Sequence, residues 1–233
     1  MTVELRIMSG GAPQGALAVL TPMFERESGH KTNFSFMVLT ALQQKLAAGE
    51  AADIAIIPVP VIDNLVKSGV LRAENRATLG VLSVSAIVRQ GAQRPDISTS
   101  EAFRRALLAA RSVVHPTPTA TPSGAHMAKV IEQLGIADAM KGKVIHRPAL
   151  DGGIEVVASG EAELGIYPTA EVIHAKGVSV VGLLPAALQL RTVYGAAVTK
   201  ASTAPEPAAA FIAFLIDPAH RKVWTDAGFE PPG

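Results

Sequence analysis

Residues 31–57 read KTNFSFMVLTALQQKLAAGEAADIAII, and their pattern decides the fold. Lys31–Phe36 is an extended run. Over Thr40–Ala48 the spacing of Leu42 and Leu46, four apart, sets two apolar groups on one helical face, and Gly49 stops the helix. Asp53–Ile57 is extended again, apolar and rich in isoleucine. A helix between two strands carries the chain back across the sheet, so the two strands run in the same direction.

The alternation continues on both sides of this stretch. Before it, Val3–Met8 reads as a strand and Pro13–Ser28 as a helix with Leu17, Leu20, Met23 and Phe24 inward and a candidate kink at Pro22. After it, Val61–Lys67 is helical up to Gly69, and Gly80–Arg89 is one long apolar strand. Glu101–Ala110 is a helix with Ser100 as its N-cap, Ser112–His115 a strand, and Ser123–Leu134 a helix closed by Gly135. Strands at Lys143–His146, Glu163–Tyr167, Val178–Leu184 and Arg191–Val198 alternate with helical stretches at Ile154–Ala158 and Thr169–Ala175. Two more helices, Glu206–Ile216 and Pro218–Ala227, close the chain. This rhythm predicts an α/β protein of mostly parallel sheets flanked by helices.

With 233 residues, 48% of them hydrophobic and 18% charged, the chain can bury a large core. Aromatics at 4% mean that Ala, Val, Leu and Ile build it. The 21 basic and 20 acidic residues form no basic stripe, which argues against nucleic acid. Cysteine is absent, excluding disulfides and thiolate chemistry. The six histidines are scattered without a metal-ligand spacing, so no metal and no cofactor are expected. There is no Gly-x-Ser-x-Gly elbow and no phosphate-binding loop ending in Lys-Ser or Lys-Thr. No apolar run reaches the ~18 residues that span a bilayer, so membrane insertion is not expected. Met1 leads straight into a strand without the basic and apolar regions of a signal peptide. Read as given, the chain is cytoplasmic; with a signal already trimmed, it is periplasmic.

Several segments, in order, carry a family likeness. They are Ser9-Gly10-Gly11-Ala12 after the first strand, Phe34-Ser35-Phe36 before a short helix, and Ala48-Gly49-Glu50-Ala51-Ala52-Asp53-Ile54, similar to "AGAPADLF". His115-Pro116 with Pro122-Ser123-Gly124 is similar to "DP…PAG", Gly160–Tyr167 to a late strand, and Asp226-Ala227-Gly228-Phe229 to a "YGF" end. The chain resembles the molybdate-type periplasmic solute-binding proteins of the type II Venus flytrap fold. The resemblance implies two lobes, residues 1–82 plus 199–233 and residues 83–198, with a ligand cleft between them. It implies a monomer that takes a small anion and partners an ABC-transporter permease.

Four loops lead into helices where that ligand is expected: Ser9–Gly15, Met37–Thr40, Thr119–Gly124 and Leu150–Ile154. The first turn of a helix leaves N–H donors unpaired at the positive end of the dipole, a combination that holds anions. Each loop alone is an ordinary strand-to-helix turn; four at the places the family uses point to a site. The candidate ligand residues are Ser9, Gly10, Gly11, Ala12, Leu39, Thr40, Ser123, Gly124, Arg147, Leu150, Gly152 and Tyr167. Against the family, the first-loop serine falls at Ala12, the second at Leu39 or Thr40, and the tyrosine at Pro168 beside Tyr167. A dehydrated oxyanion needs nearly every oxygen hydrogen-bonded, so these losses point away from molybdate.

The second lobe adds His115, His126, Arg147, Asp151, Glu155 and Arg191. An arginine at the ligand suits a di- or tricarboxylate through bidentate pairing; against that, a solvated strand end before Pro148 is the favoured reading of Arg147, and plain surface the other reading of Arg191. His115 reads either as a ligand contact or as a capped structural histidine. His30, His174 and His220 read as surface, and Asp53 as structural. The leading function is therefore capture of an oxyanion or organic carboxylate. The alternative is an aconitate-isomerase-like enzyme on the same scaffold, with His115 or Asp151 as the base and Arg147 and the helix ends stabilising enolate-like charge. A transcription-regulator effector domain is disfavoured, because no helix-turn-helix precedes the first strand.

Overall fold

Strands without strict polar alternation can be covered on both faces, and the chain uses them that way twice. The computed structural model describes residues 2–232, apart from the side chains of Ala149 and Leu150. It divides into two compact units, Met1–Leu82 with Thr192–Gly233, and Ser83–Arg191.

The first unit begins β1 (Glu4–Ser9), α1 (Gln14–Ser28), β2 (Lys31–Phe36), α2 (Leu39–Ala47), β3 (Ile54–Pro58), α3 (Val59–Lys67) and β4 (Ala77–Leu82). The second unit holds β5 (Val84–Arg89), α4 (Ser100–Ala109), β6 (Val113–His115), α5 (Pro122–Gln133), α6 (Ala137–Met140), β7 (Val144–His146), α7 (Ile154–Ser159), β8 (Leu164–Pro168), α8 (Thr169–Val172) and β9 (Val178–Leu183). The chain then returns to the first unit through β10 (Thr192–Val198), α9 (Pro205–Leu215), α10 (Arg221–Asp226) and β11 (Phe229–Glu230).

The first unit's sheet has the order β11-β4-β10-β3-β1-β2. β1 runs parallel to both β2 and β3, as the stretch at residues 31–57 predicts, and lies between them. β10 runs antiparallel between β3 and β4, so those two share the direction of β1. Met8, Ala55, Ile57 and Ala197 pack with Leu42, Leu46, Ile62 and Leu65 of α2 and α3. Phe24 of α1 meets Phe211 of α9 edge-on at 4.8 Å, and Trp224 of α10 meets Phe229 at 5.3 Å. Asp53 is structural, as expected. It accepts from the Arg6 backbone at 2.9 Å and from Ser202 at 2.8 Å, tying the start of β3 to the segment after β10.

The second sheet has the order β7-β6-β8-β5-β9. Here β6 is parallel to β7 and β8, and β5 runs against β8 and β9. Period-two alternation separates its two cores. Val84, Ala86, Val88, Val113, Leu164 and Ile166 face Phe103, Leu107, Met127 and Val130, whereas Ile87, Val114 and Tyr167 face Val157 and Val172.

Local differences from the sequence reading have clear causes. The run Gly80–Arg89 is two strands, broken at Ser83 where the chain passes from one unit to the next. Residues 192–198 lie in the first unit, because all of β10 is paired within that sheet. The α4 cap is Thr99, whose Oγ1 accepts from Ala102 N–H at 3.1 Å, rather than Ser100. Pro22 sits inside α1 without ending it. His220 is buried, not surface: its Nδ1 lies 2.7 Å from the Phe214 carbonyl and its ring packs on Phe214.

Candidate functional site

The carboxyl ends of co-directional strands are where α/β sheets hold ligands. In the first unit these are the ends of β1, β2, β3 and β4. The β1–α1 loop is closed by Gly10 N–H donating to Ile56 O at 3.0 Å and Gln14 N–H to Gly11 O at 3.1 Å. Buried Ser9 donates its hydroxyl to Gly10 O at 2.9 Å, so that proton is committed within the loop. Ala12 is a buried methyl at the place the resemblance gives to a serine, and Gly11 is partly open. Pro13, which caps α1, makes no side-chain cap bond, and neither does Val38, which caps α2. The first-turn N–H groups of both helices therefore lack a side-chain acceptor at the cap. Thr40 is exposed in the first turn of α2, beside half-buried Leu39.

In the second unit the corresponding edge carries His115, His146 and Pro168. His115 and His146 are register partners at the ends of β6 and β7, with rings 4.8 Å apart and nearly perpendicular. His115 Nδ1 lies 2.8 Å from the Pro116 carbonyl, which can only accept. Nδ1 therefore carries the proton and Nε2 the lone pair. Burial, and more weakly the neighbouring His146, pushes the His115 pKa down to about 4, against the Pro116 bond. Its imidazole is neutral at physiological pH. Among the described residues no group of three His, Asp or Glu side chains could hold a metal ion.

The α5 N-terminus is already capped: Thr121 Oγ1 accepts from Gly124 N–H at 3.1 Å and lies 3.3 Å from the hydroxyl of buried Ser123. Glycine is required at 124 by close approach, since a Cβ there would lie 2.5 Å from the carbonyl oxygens of Pro116 and Thr117. This brings the start of α5 against the chain leaving His115.

Between Pro148 and α7 the backbone makes a single wide turn over Ala149–Gly153, kinked at Asp151 and at Gly152, whose φ of 85° suits glycine. Asp151 N–H and Gly153 N–H both donate to Pro148 O. A Cβ at Gly153 would overlap the Tyr167 hydroxyl and lie 2.6 Å from Pro148 O. Tyr167 itself is buried, and its hydroxyl donates to Arg147 O at 3.0 Å. Its only proton supports the loop from below, and burial with the charges of Glu171 and Glu155 raises its pKa. Arg147 is exposed, with Nη1 3.2 Å from its neighbour's carbonyl, and Asp151 is exposed too. The side chain of Leu150 lies outside the described residues. His126 is held at 2.7 Å from Leu188 O.

A family model described as Bacterial extracellular solute-binding protein matches residues 5–230. The chain belongs to that family. It is 32% identical over 235 residues to an aconitate isomerase of a Pseudomonas species, covering 97% of this chain and 87% of that one. Its fold is that of the periplasmic binding proteins. The molybdate-binding protein of Azotobacter vinelandii superposes with a TM-score of 0.81 at 19% identity, covering 98% of this chain and all of that one. The sulfate-binding protein of Mycobacterium tuberculosis gives 0.78 at 22%, covering 98% and 87%.

Sequence reasoning missed two groups at these edges of the solute-binding fold. Glu171, in α8 just past the end of β8, is partly buried, and desolvation pushes its pKa up to about 7. The only signal for it was a carboxylate three residues beyond a wholly buried strand. Tyr194, on β10, brings its hydroxyl beside Gly10. Its position depends on the order of strands in the sheet, which residue types do not announce.

Proposed function

We propose that this solute-binding protein captures a small organic anion bearing carboxylates, through helix N-termini and polar groups at the carboxyl edges of its sheets. An ABC-transporter permease is the partner that fits this role. The extracellular description of the family favours the exported of the two locations. The hydroxyl inventory carries the choice of ligand. Ala12 offers a methyl, Ser9 is committed to Gly10 O, and Tyr167 is committed to Arg147 O. A bare tetrahedral oxyanion needs those donors on every side, whereas an organic carboxylate presents oxygens only at its carboxyl groups, has carbon to set against Ala12, and suits Arg147.

Identity with the aconitate isomerase along nearly the whole chain supports a second reading, in which binding is followed by isomerisation. A carbon-bound proton is removed beside a carboxylate-bearing double bond and returned to the other end of the allylic system. No atoms are gained or lost, and the double bond shifts or turns. Of the candidate bases, His115 would be protonated at pH 7 only at a cost of about 4 kcal/mol, from a pKa of about 4. Glu171, at about 7, is matched to proton transfer at that pH. Asp151 stays a candidate by its exposed place on the loop before α7.

Thermal unfolding with millimolar citrate, cis- and trans-aconitate, molybdate, tungstate and sulfate tests the first reading. A ligand at ~1,000 times its Kd adds about 4 kcal/mol, a midpoint shift on the order of 10 °C at this length. A shift with carboxylates alone is the expected result; a shift with molybdate or tungstate alone would sink the argument from lost hydroxyls. Proton NMR of aconitate incubated with the protein in D2O tests the second, through interconversion and deuterium uptake. Tight binding without either confines the chain to capture.

A further inference from the structure

At the carboxyl edge of the second unit's sheet, a nearly enclosed imidazole carries a lone pair that no group of the protein takes up. We infer that His115 Nε2 accepts a hydrogen bond from a hydroxyl of the bound ligand, so that the anion captured is a hydroxycarboxylate. The inference rests on the carboxylate-capture reading above and narrows its substrate class.

His115 closes β6, the strand between β7 and β8. Side chains alternate along a strand, so the ring shares its face with Val113, part of the core that Met127 and Val130 of α5 complete. Arg147 N–H donates to His115 O at 3.2 Å, which anchors the main chain, and the ring packs edge-on to exposed His146. Only 1% of His115 is exposed. Nδ1 gives its proton to the Pro116 carbonyl, and that bond fixes the tautomer. Nε2 makes no hydrogen bond among the described residues. Nor is it sealed in: among those residues the one fully enclosed side-chain nitrogen or oxygen without a partner is Thr21 Oγ1. The small open part of His115 therefore includes Nε2.

In this tautomer Nε2 can only accept. Burial keeps the ring neutral down to about pH 4, so at physiological pH a carboxylate oxygen set against Nε2 would face lone pair with lone pair. The ligand must offer a donor here. A carboxyl proton is gone at that pH. An ammonium would need an anion beside it once dehydrated, and the groups that act on this ring are a carbonyl and another histidine. A hydroxyl donates without bringing charge. A ligand lacking it leaves a buried acceptor unpaired, which is how such a site tells the two apart.

Calorimetric titration with citrate and tricarballylate tests this, since the two differ only in the hydroxyl on the central carbon. Malate against succinate repeats the comparison with two carboxylates, and aspartate puts an ammonium in the hydroxyl's place. In whichever set binds, the hydroxylated acid should be roughly ten- to a hundredfold tighter. In H115F that ratio should fall to near one. Should H115F not fold, nitrogen-15 NMR of labelled histidine in the unaltered protein gives the same answer. The imidazole that titrates near pH 4 identifies His115, and its Nε2 resonance should move upfield with the hydroxylated acid and not with its deoxy counterpart. A deoxy acid bound within twofold, a ratio unchanged in H115F, an unmoved Nε2 resonance, or aspartate binding best overturns the hydroxyl assignment while carboxylate capture stands. Binding of none of these acids overturns the capture reading, and the assignment falls with it.

Discussion

Replacing Glu171 by Gln should tilt the protein's stability against pH, and replacing His115 by Asn should tilt it the opposite way. Both groups lie in the second unit and both are shifted by burial, in opposite senses. His115 falls from 6.5 to about 4, so the unfolded chain binds its proton first. The stability it confers is complete above pH 6.5 and is lost as pH falls toward 4. Glu171 rises from 4.5 to about 7, so its stability is complete below pH 4.5 and is lost as pH rises through 7. Each full shift is worth about 3 kcal/mol at about 1.4 kcal/mol per pH unit. Between pH 4.5 and 6.5 the two slopes oppose one another and nearly cancel. Taking the folded and unfolded values together, E171Q should gain about 2 kcal/mol of stability relative to the unaltered protein between pH 4.5 and 6.5. Over the same interval H115N should lose about 2 kcal/mol relative to it. Urea unfolding followed by circular dichroism at several pH values measures this. The comparison uses differences between curves, so the common contribution of carboxylates such as Asp53 and Glu163 drops out. Curves that run parallel for all three proteins would refute the burial argument for both residues.

Two further substitutions test the supports of the second unit's loops. Gly153→Ala should destabilise by about 1–3 kcal/mol, because its methyl meets both the Tyr167 hydroxyl and the Pro148 carbonyl; adding Y167F should recover part of that loss in a double-mutant cycle by denaturant titration. Thr121→Ala removes the α5 cap from Gly124 N–H and should cost about 1 kcal/mol, read as a lower urea midpoint with an unchanged slope.

The class of fold was readable because apolar runs of strand length alternate with amphipathic helical spacing, and that pattern survives any detail of packing. Residues 31–57 show this best: strand, helix and strand fall within a few residues of their observed bounds. The break at Ser83 was not readable, since Gly80–Arg89 is uniformly apolar and a change of sheet leaves no mark in residue type. The loops of the candidate site were found through their glycines and helix starts. What each polar atom does there was not. Tyr167 looks like a ligand group in sequence but turns its proton to Arg147 O, and Ser9 turns its own to Gly10 O. Tyr194 and Glu171 escaped notice because the place of one depends on strand order and the pKa of the other on desolvation, both of which arise only when distant segments pack.

The discontinuous make-up of the first unit bears on how the chain is born. Leu82 and Thr192, the first-unit residues that flank the second unit, are paired neighbours on β4 and β10. The second unit is thus one uninterrupted segment that the ribosome delivers whole. The first unit must wait, because β10, the strand between β3 and β4, is made only after it. Until then the edges of β3, rich in isoleucine, and of β4 lack the partner they will share, the kind of surface that pairs wrongly. Closure of the first sheet only after the whole second unit has been made is the order of events this topology favours.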